Sequence, residues 1–290
     1  MLTVSLISAP GRHNLDPLAA EALQNAWGGG GLQWLSPREA AEFTMPALPG
    51  NQWEIWAEFQ KLGVDLIVQP TTGRRKKLLL ADMDSTLIHQ ECIDELADEI
   101  GVGNRVAAIT AQAMNGEIGF EDALRKRVAL LRDAPVEVIE RVLRKRITFV
   151  GGGRQLVSTM KSQGAYTALV SGGFTEFAAS VAKRLGFDEH RANTLLFKNG
   201  RLTGKAGQPV LGRDAKLAAL NEISDRLRIS ADQIIAVGDG ANDLAMLAVA
   251  GTGVAMHAKS AVAARCDLRI NHGDLTALLF LQGYSRDEFV

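Results

Sequence analysis

Residues 77–91 read K-L-L-L-A-D-M-D-S-T-L-I-H-Q-E. An apolar run that suits a buried strand stops there on two aspartates, Asp82 and Asp84, spaced i, i+2. Both then sit at the carboxyl end of the strand, where open α/β sheets bind their ligands. At about 4 Å and an effective dielectric of about 20, two carboxylates repel by roughly 4 kcal/mol, so a metal, a shared proton or solvent must offset them. A strand followed by a polar turn would leave the same trace. The pair alone decides nothing.

Downstream, apolar segments at 78–82, 167–171, 234–239 and 252–256 alternate with long helical stretches, the pattern of a parallel sheet with crossover helices. Between the first two strands, residues 87 to about 150 carry no strand pattern. Cys92, Ile93, Leu96, Ala97 and Ile100 mark a helix ended by Gly101, and 102–114 and 136–146 mark two more. An all-helical insert beside a strand-end site predicts a cap over it. Phe120, Leu124, Val128 and Leu131 form a further apolar stripe. Arg127, seven residues from Phe120, lies about 20° away on the same face. A guanidinium there needs an anion if buried, or else snorkels to solvent or pairs with a local Glu.

Upstream, an alternating run L-T-V-S-L-I-S precedes a helical pattern on Leu18, Ala22, Leu23 and Ala26, broken by the glycines at 28–31. A strand from G-L-Q-W-L-S follows, then a helix over 51–62 with Trp53, Ile55, Trp56, Phe59 and Leu62 along one side, then a strand V-D-L-I-V-Q-P. This β-α-β-α-β order predicts a small α+β domain of ferredoxin-like or ACT-like type over residues 1–70. The glycine run reads as a connection, since no strand precedes it and no Lys-Ser/Thr follows. Residues 71–76 read as a solvated linker and 77–290 as the second domain, with its cap at about 90–150.

With 290 residues, 47% hydrophobic and 22% charged, the chain can bury two cores. Its formal net charge of −1 argues against nucleic acid or an anionic membrane as partner. Cys92 and Cys266 have no zinc-like spacing and read as reduced core thiols. Residues 1–10 lack the basic start of a signal peptide, and no apolar stretch approaches the roughly 20 residues of a membrane helix. The expected location is the cytoplasm.

Three more features accompany the aspartates. Ser171-Gly172-Gly173 ends a strand and leads into a helix, an arrangement whose exposed amides favour an anion, though such turns are common. Lys216 opens another helix, where most lysines are merely solvated. In I-I-A-V-G-D-G-A-N-D-L-A-M-L, a buried strand ends on Asp239, followed by Asn242 and Asp243. Hard oxygen ligands without competing histidine or thiolate suit Mg²⁺.

Taken in order, D-M-D-S-T, the S-G-G after a strand, the helix lysine and G-D-G-A-N-D resemble the four motifs of the haloacid dehalogenase superfamily of phosphotransferases. Within it, D-M-D-S-T-L-I-H-Q-E-C-I-D-E-L-A, M-N-G-E-I-G-F-E-D-A-L-R-K-R-V-A-L-L and V-S-G-G-F-T are similar to the phosphoserine phosphatases, over about residues 77–285. The first 70 residues resemble, loosely, the ACT-like extensions of some bacterial members.

The resemblance implies a Rossmann-like parallel sheet with a helical cap inserted after the first strand. It implies Mg²⁺-dependent hydrolysis of O-phospho-L-serine to L-serine and phosphate through an aspartyl-phosphate, the last step of serine biosynthesis. Asp82 is then the nucleophile and Asp84 the general acid/base, with Ser171, Gly172 and Lys216 on the phosphate. Asp82, Asp239 and the Asp84 backbone carbonyl would hold the metal, Asp243 would stand close behind, and Asn242 would orient the cluster. Glu91 would take the substrate ammonium and Arg127 its carboxylate, while Met114 and Phe120 exclude water. Two alternatives stay open: the same site acting on another small phosphomonoester or acceptor alcohol, and a non-catalytic amino-acid sensor. The expected partner is a small-molecule substrate, with no nucleic acid and no membrane, and the assembly is left open, a homodimer included.

Overall fold

The computed structural model describes residues 1–114 and 117–290, with the Met114 side chain outside the described set. The first sheet comes from β1 (Leu2–Ser8), α1 (Pro17–Ala26), β2 (Gln33–Ser36), β3 (Ala40–Met45), α2 (Gln52–Lys61) and β4 (Val64–Pro70). Its order is β2-β3-β1-β4, and β1 runs antiparallel to both neighbours. This is the ferredoxin-like β-α-β-β-α-β plan with one strand more than the sequence pattern predicts. The missed strand β3, A-A-E-F-T-M, is rich in residues with weak strand preference and is held by pairing on both sides. Both helices use narrower stripes than expected. In α1 the buried residues are Ala20 and Leu23 while Leu18 is exposed, and in α2 Phe59 is buried while Trp53 and Leu62 face outward. Trp53 is covered by Arg269, whose guanidinium lies 4.4 Å from the ring centre.

The larger unit follows the order β5 (Leu78–Ala81), α3 (Cys92–Glu99), α4 (Gly103–Met114), α5 (Phe120–Leu130), α6 (Glu137–Lys145), α7 (Gly153–Ser162), β6 (Tyr166–Phe174), α8 (Thr175–Leu185), β7 (Glu189–Asn193), β8 (Leu195–Lys198) and β9 (Arg201–Ala206). It continues with α9 (Arg213–Leu227), β10 (Ile234–Gly238), α10 (Leu244–Val249), β11 (Thr252–Met256), α11 (Ser260–Ala263), β12 (Leu268–Ile270) and α12 (Ala277–Leu281). Six strands form one parallel sheet, β12-β11-β10-β5-β6-β7. Every residue of the central β5 and β10 is buried, because helices cover both faces. The edge strands β7 and β12, E-H-R-A-N and L-R-I, are polar enough to escape a reading based on apolar runs.

Helices α3 to α6 form the insert between β5 and β6. The β8–β9 hairpin, also missed from sequence, runs alongside α5 and bridges to the insert through Pro135 and Arg201. No described helix is long and apolar enough to cross a membrane.

The segment expected to be a solvated linker is instead a seam. Arg74 pairs with Glu42 and donates to the Leu281 carbonyl at 2.9 Å, and Lys76 N donates to Gln282 Oε1 at 3.0 Å and its Nζ to the Asp232 carbonyl at 2.7 Å. The deepest contact is Asp65 on β4, fully buried, whose carboxylate accepts the backbone N–H groups of Asn271 at 2.8 Å, His272 at 3.0 Å and Gly273 at 2.8 Å. The same loop leads to Leu275, whose N–H donates to the Gly151 carbonyl at 3.1 Å, where the chain returns from the insert. Replacing Asp65 with Ala strands three donors at once, and we expect a loss of about 2–4 kcal/mol in urea unfolding. A midpoint unchanged within error would show that the seam does not depend on Asp65.

Candidate active site

The parallel sheet delivers its strand ends to one edge, and the residues singled out from sequence gather there. Strand β5 ends at Ala81, so Asp82 emerges at the carboxyl edge; its backbone N–H still donates to the Val237 carbonyl of neighbouring β10 at 3.0 Å. Strand β10 ends at Gly238 and presents Asp239 beside it. Carboxylate oxygens of Asp82, Asp239 and Asp243 all lie within 4.8 Å of one another, and all three residues are buried.

Lys216, near the start of α9, reaches into this cluster with an almost fully buried side chain. Its Nζ lies 2.8 Å from Asp82 Oδ1 and 2.5 Å from Asp243 Oδ1. Burial works against the ammonium, yet Asp82 and Asp243 hold its pKa above the ordinary value. Asp243 has both oxygens engaged, since Oδ2 accepts the Gly240 N–H at 2.9 Å. Asp82 Oδ1 also accepts the Met83 N–H at 2.8 Å. Asp239 Oδ1 accepts from the Thr86 hydroxyl at 3.2 Å. Burial first, then Asp243, pushes Asp82 well above the usual carboxylate range; burial, then Asp243 and Glu91, pushes Asp239 up to about 6.

Three carboxylates against one ammonium leave two negative charges in excess, the charge a divalent cation would neutralise. The donor set is all oxygen, which suits a hard cation such as Mg²⁺. Asp82 and Asp239 have an oxygen to offer it. Asp243, tied to Lys216 and to the Gly240 amide, stands behind as their brace.

Asp84 lies just beyond. Part of its surface stays open to solvent, but the surrounding protein is dense, and burial first, with Glu91 second, lifts it to about 7. Its Oδ1 accepts the Cys92 N–H at 3.4 Å. Ser85, at a left-handed φ of 57°, turns the chain sharply, and its hydroxyl donates to Glu91 Oε1 at 2.9 Å. Glu91 is thereby brought back over the site at the start of α3, exposed at its mouth.

The segment after Val170 differs from a simple strand-to-helix turn. Strand β6 continues to Phe174, and its pairing with β7 shifts register between Val170 and Phe174. This bulge sets the 171–173 segment out of the ladder. Ser171 Oγ accepts the Gly173 N–H at 2.9 Å, which leaves its own proton to give away. A side chain at residue 173 would come within 2.7 Å of Asp84 Oδ2, so glycine here lets the bulge and the acid touch.

The residue sequence reasoning missed is Asn193, at the end of β7. Its buried side chain donates from Nδ2 to the Gly172 carbonyl at 2.8 Å and accepts the Leu211 N–H at Oδ1 at 2.7 Å. It ties the bulge to the loop that delivers Lys216. Nothing in A-N-T-L marks it, because its strand is polar and its partners are remote in sequence. Thr86 leaves no local signal either, since the acid it bonds lies 153 residues away.

Phe120 is more exposed than an apolar-stripe residue should be, at 38%, because it starts α5 and leaves the stripe to reach the carboxyl edge of the sheet. Its ring lies over residue 172, where an added Cβ would meet it at 3.3 Å. Ala123, Leu124 and Val128 form the buried face of α5, and Arg127 is half-buried beside them, with Nε toward the Ala123 carbonyl at 3.4 Å. Asn242 is half-buried on the loop joining Asp239 to Asp243. Met114 closes α4, but its side chain lies outside the described residues, as do Asn115 and Gly116 of the motif that follows.

Comparison with known proteins agrees with this geometry. The family model for haloacid dehalogenase-like hydrolases matches residues 79–248. A phosphoserine phosphatase from Archaeoglobus fulgidus is 43% identical over 223 residues, 76% of this chain and 64% of that protein. One from Methanocaldococcus jannaschii is 42% identical over 206 residues, 71% of this chain and 97% of that protein. Among solved structures, a haloacid dehalogenase family hydrolase from Salmonella enterica serovar Typhi superposes with a TM-score of 0.87 at 29% identity, covering 99% of both chains. A substrate-bound phosphoserine phosphatase gives 0.66 at 41% identity, covering 71% of this chain and 97% of the other. The chain belongs to the haloacid dehalogenase-like hydrolases, in their phosphoserine phosphatase branch.

Proposed function

We propose that this chain hydrolyses O-phospho-L-serine to L-serine and phosphate through an aspartyl-phosphate on Asp82, closing serine biosynthesis. The observation that carries this reading is the meeting of two charge patterns at one strand edge. An acidic cluster braced by Lys216 faces the phosphate side, and Glu91 and Arg127 stand at the cap side with opposite charges for an ammonium and a carboxylate.

Asp82 attacks phosphorus and the bond to the serine oxygen breaks. Asp84, lifted to about 7, gives its proton to the departing alkoxide, then takes one from the water that attacks the acyl phosphate and frees Asp82. Lys216 holds Asp82 Oδ1 in place while charge moves to the phosphoryl oxygens, and the Ser171 hydroxyl and Gly172 amide donate to those oxygens. Asn193 fixes Gly172 for that task. Phe120 covers the bulge and keeps water from it. Mg²⁺ held by Asp82, Asp239 and the Asp84 carbonyl, with Asp243 behind, would supply the positive charge that lets phosphate approach this many carboxylates. Both cysteines are buried free thiols, which suits a reducing compartment such as the cytoplasm.

Steady-state assays on O-phospho-L-serine, phosphothreonine, phosphohomoserine and phosphoethanolamine test the substrate. Phosphoserine should be clearly preferred in kcat/KM, and chelation of Mg²⁺ should remove at least about 99% of the turnover. Equal rates across the four, or an Arg127→Ala variant with unchanged kcat/KM for phosphoserine, would refute the assignment.

Two substitutions divide the labour further. Asp84→Asn keeps volume but cannot shuttle a proton, and kcat should fall by about 10²–10⁴-fold while the fold survives. Asn193→Ala, which touches neither substrate nor metal, should lower kcat by about 10–100-fold through misplacement of the bulge. An Asn193→Ala enzyme with full kcat would mean that the loop holds its position without it.

A further inference from the structure

One acid at the cap side of the site has no part in the reaction as described. Asp94 lies in the first turn of α3, three residues after Glu91, so the two carboxylates leave neighbouring positions on one face. Its Oδ1 is buried and has no hydrogen-bond partner among the described residues. A buried carboxylate oxygen left in that condition is costly, and an acid that merely favoured the helix dipole would sit better in water.

Arg127 is the complementary oddity. It is half-buried, and its hydrogen bonds among the described residues go to neutral acceptors at long distances, Nε to the Ala123 carbonyl at 3.4 Å and Nη1 to Thr110 Oγ1 at 3.5 Å. Helix α3 packs against α5, which puts the two residues in facing elements. Burial pulls the Arg127 pKa below its ordinary value; of the acids that oppose this, Asp94 acts most strongly, ahead of Glu91 and Asp84. In return, burial and Glu91 raise Asp94, and Arg127 is the cation that lowers it.

We propose that Asp94 is a positioning residue for Arg127, its carboxylate steering the guanidinium so that the free donors of the fork face the substrate carboxylate. The inference rests on the reading of Arg127 as the carboxylate holder. An arginine held before substrate arrives loses less freedom on binding, and a bidentate pair tolerates little misalignment. Without Asp94, Arg127 loses the acid that acts on it most strongly, and Glu91 and Asp84 hold it less. The cost then falls on substrates that carry a carboxylate and spares those that do not.

The test compares O-phospho-L-serine with O-phosphoethanolamine, which keeps phosphate and ammonium but lacks the carboxylate. Asp94→Asn should raise KM for phosphoserine about tenfold with kcat within about threefold, and leave kcat/KM for phosphoethanolamine unchanged. Asp94→Glu should recover much of the loss, and in an Arg127→Ala background Asp94→Asn should add nothing further. Melting curves on all variants separate folding losses from binding losses. Equal damage to both substrates, additivity with Arg127→Ala, or a lower KM would overturn the proposal. A silent Asp94→Asn in an enzyme that does prefer phosphoserine removes this proposal alone. An unmutated enzyme indifferent to the carboxylate removes the reading of Arg127, and the proposal with it.

Discussion

Lys216 can remain charged in its enclosed position because Asp82 and Asp243 meet it at 2.8 and 2.5 Å. Burying one ion of such a group unpaired costs several kcal/mol, so the three form together or not at all. Much of the architecture serves this contact. Strand β5 brings Asp82, the loop after β10 brings Asp243, α9 brings the lysine, and Asn193 fixes the loop from which α9 departs. The arrangement still carries more negative than positive charge, which makes it receptive to a divalent cation and, through that cation, to a phosphate.

Around this anchor, two kinds of constraint divide the site. The sheet-edge side is built from a bulge in β6, backbone amides and buried side chains. The cap side is carried on helices of an insert, where Glu91, Asp94 and Arg127 face one another with few strong hydrogen bonds. On the proposed reading, chemistry that must be the same for every phosphomonoester falls to the sheet, and discrimination among substrates to the cap. The first domain grips the core through Asp65 at the 271–273 loop, which in turn abuts the return from the cap at Gly151.

The parallel sheet, the helical cap and the acidic cluster were legible because each leaves a local trace: unbroken apolar strands, a long stretch without strands, and acids placed where strands stop. Edge strands β7 and β12 and strand β3 were not, because their residues are polar or small and their pairing comes from neighbours far along the chain. Asn193 was invisible for the same reason, its two partners lying 18 and 21 residues away. Within residues 71–76 the outcome is mixed, with Arg75 exposed and Arg74 and Lys76 tied down. Local composition suggested solvent, whereas Arg74 and Lys76 find acceptors near residues 232 and 281 that no local pattern announces. Trp53 and Leu62 misled in the opposite direction, as apolar residues left outside a narrow stripe.

Covalent capture tests the central chemistry most directly. Rapid acid quench during turnover of O-phospho-L-serine, followed by borohydride reduction and peptide mass spectrometry, converts an acyl phosphate to an alcohol at the residue that carried it. Nucleophilic attack by Asp82 predicts substrate-dependent reduction at residue 82 and at no other acid of the cluster. Reduction at Asp84 or Asp239, or turnover with no trapped acyl phosphate at any residue, would contradict it.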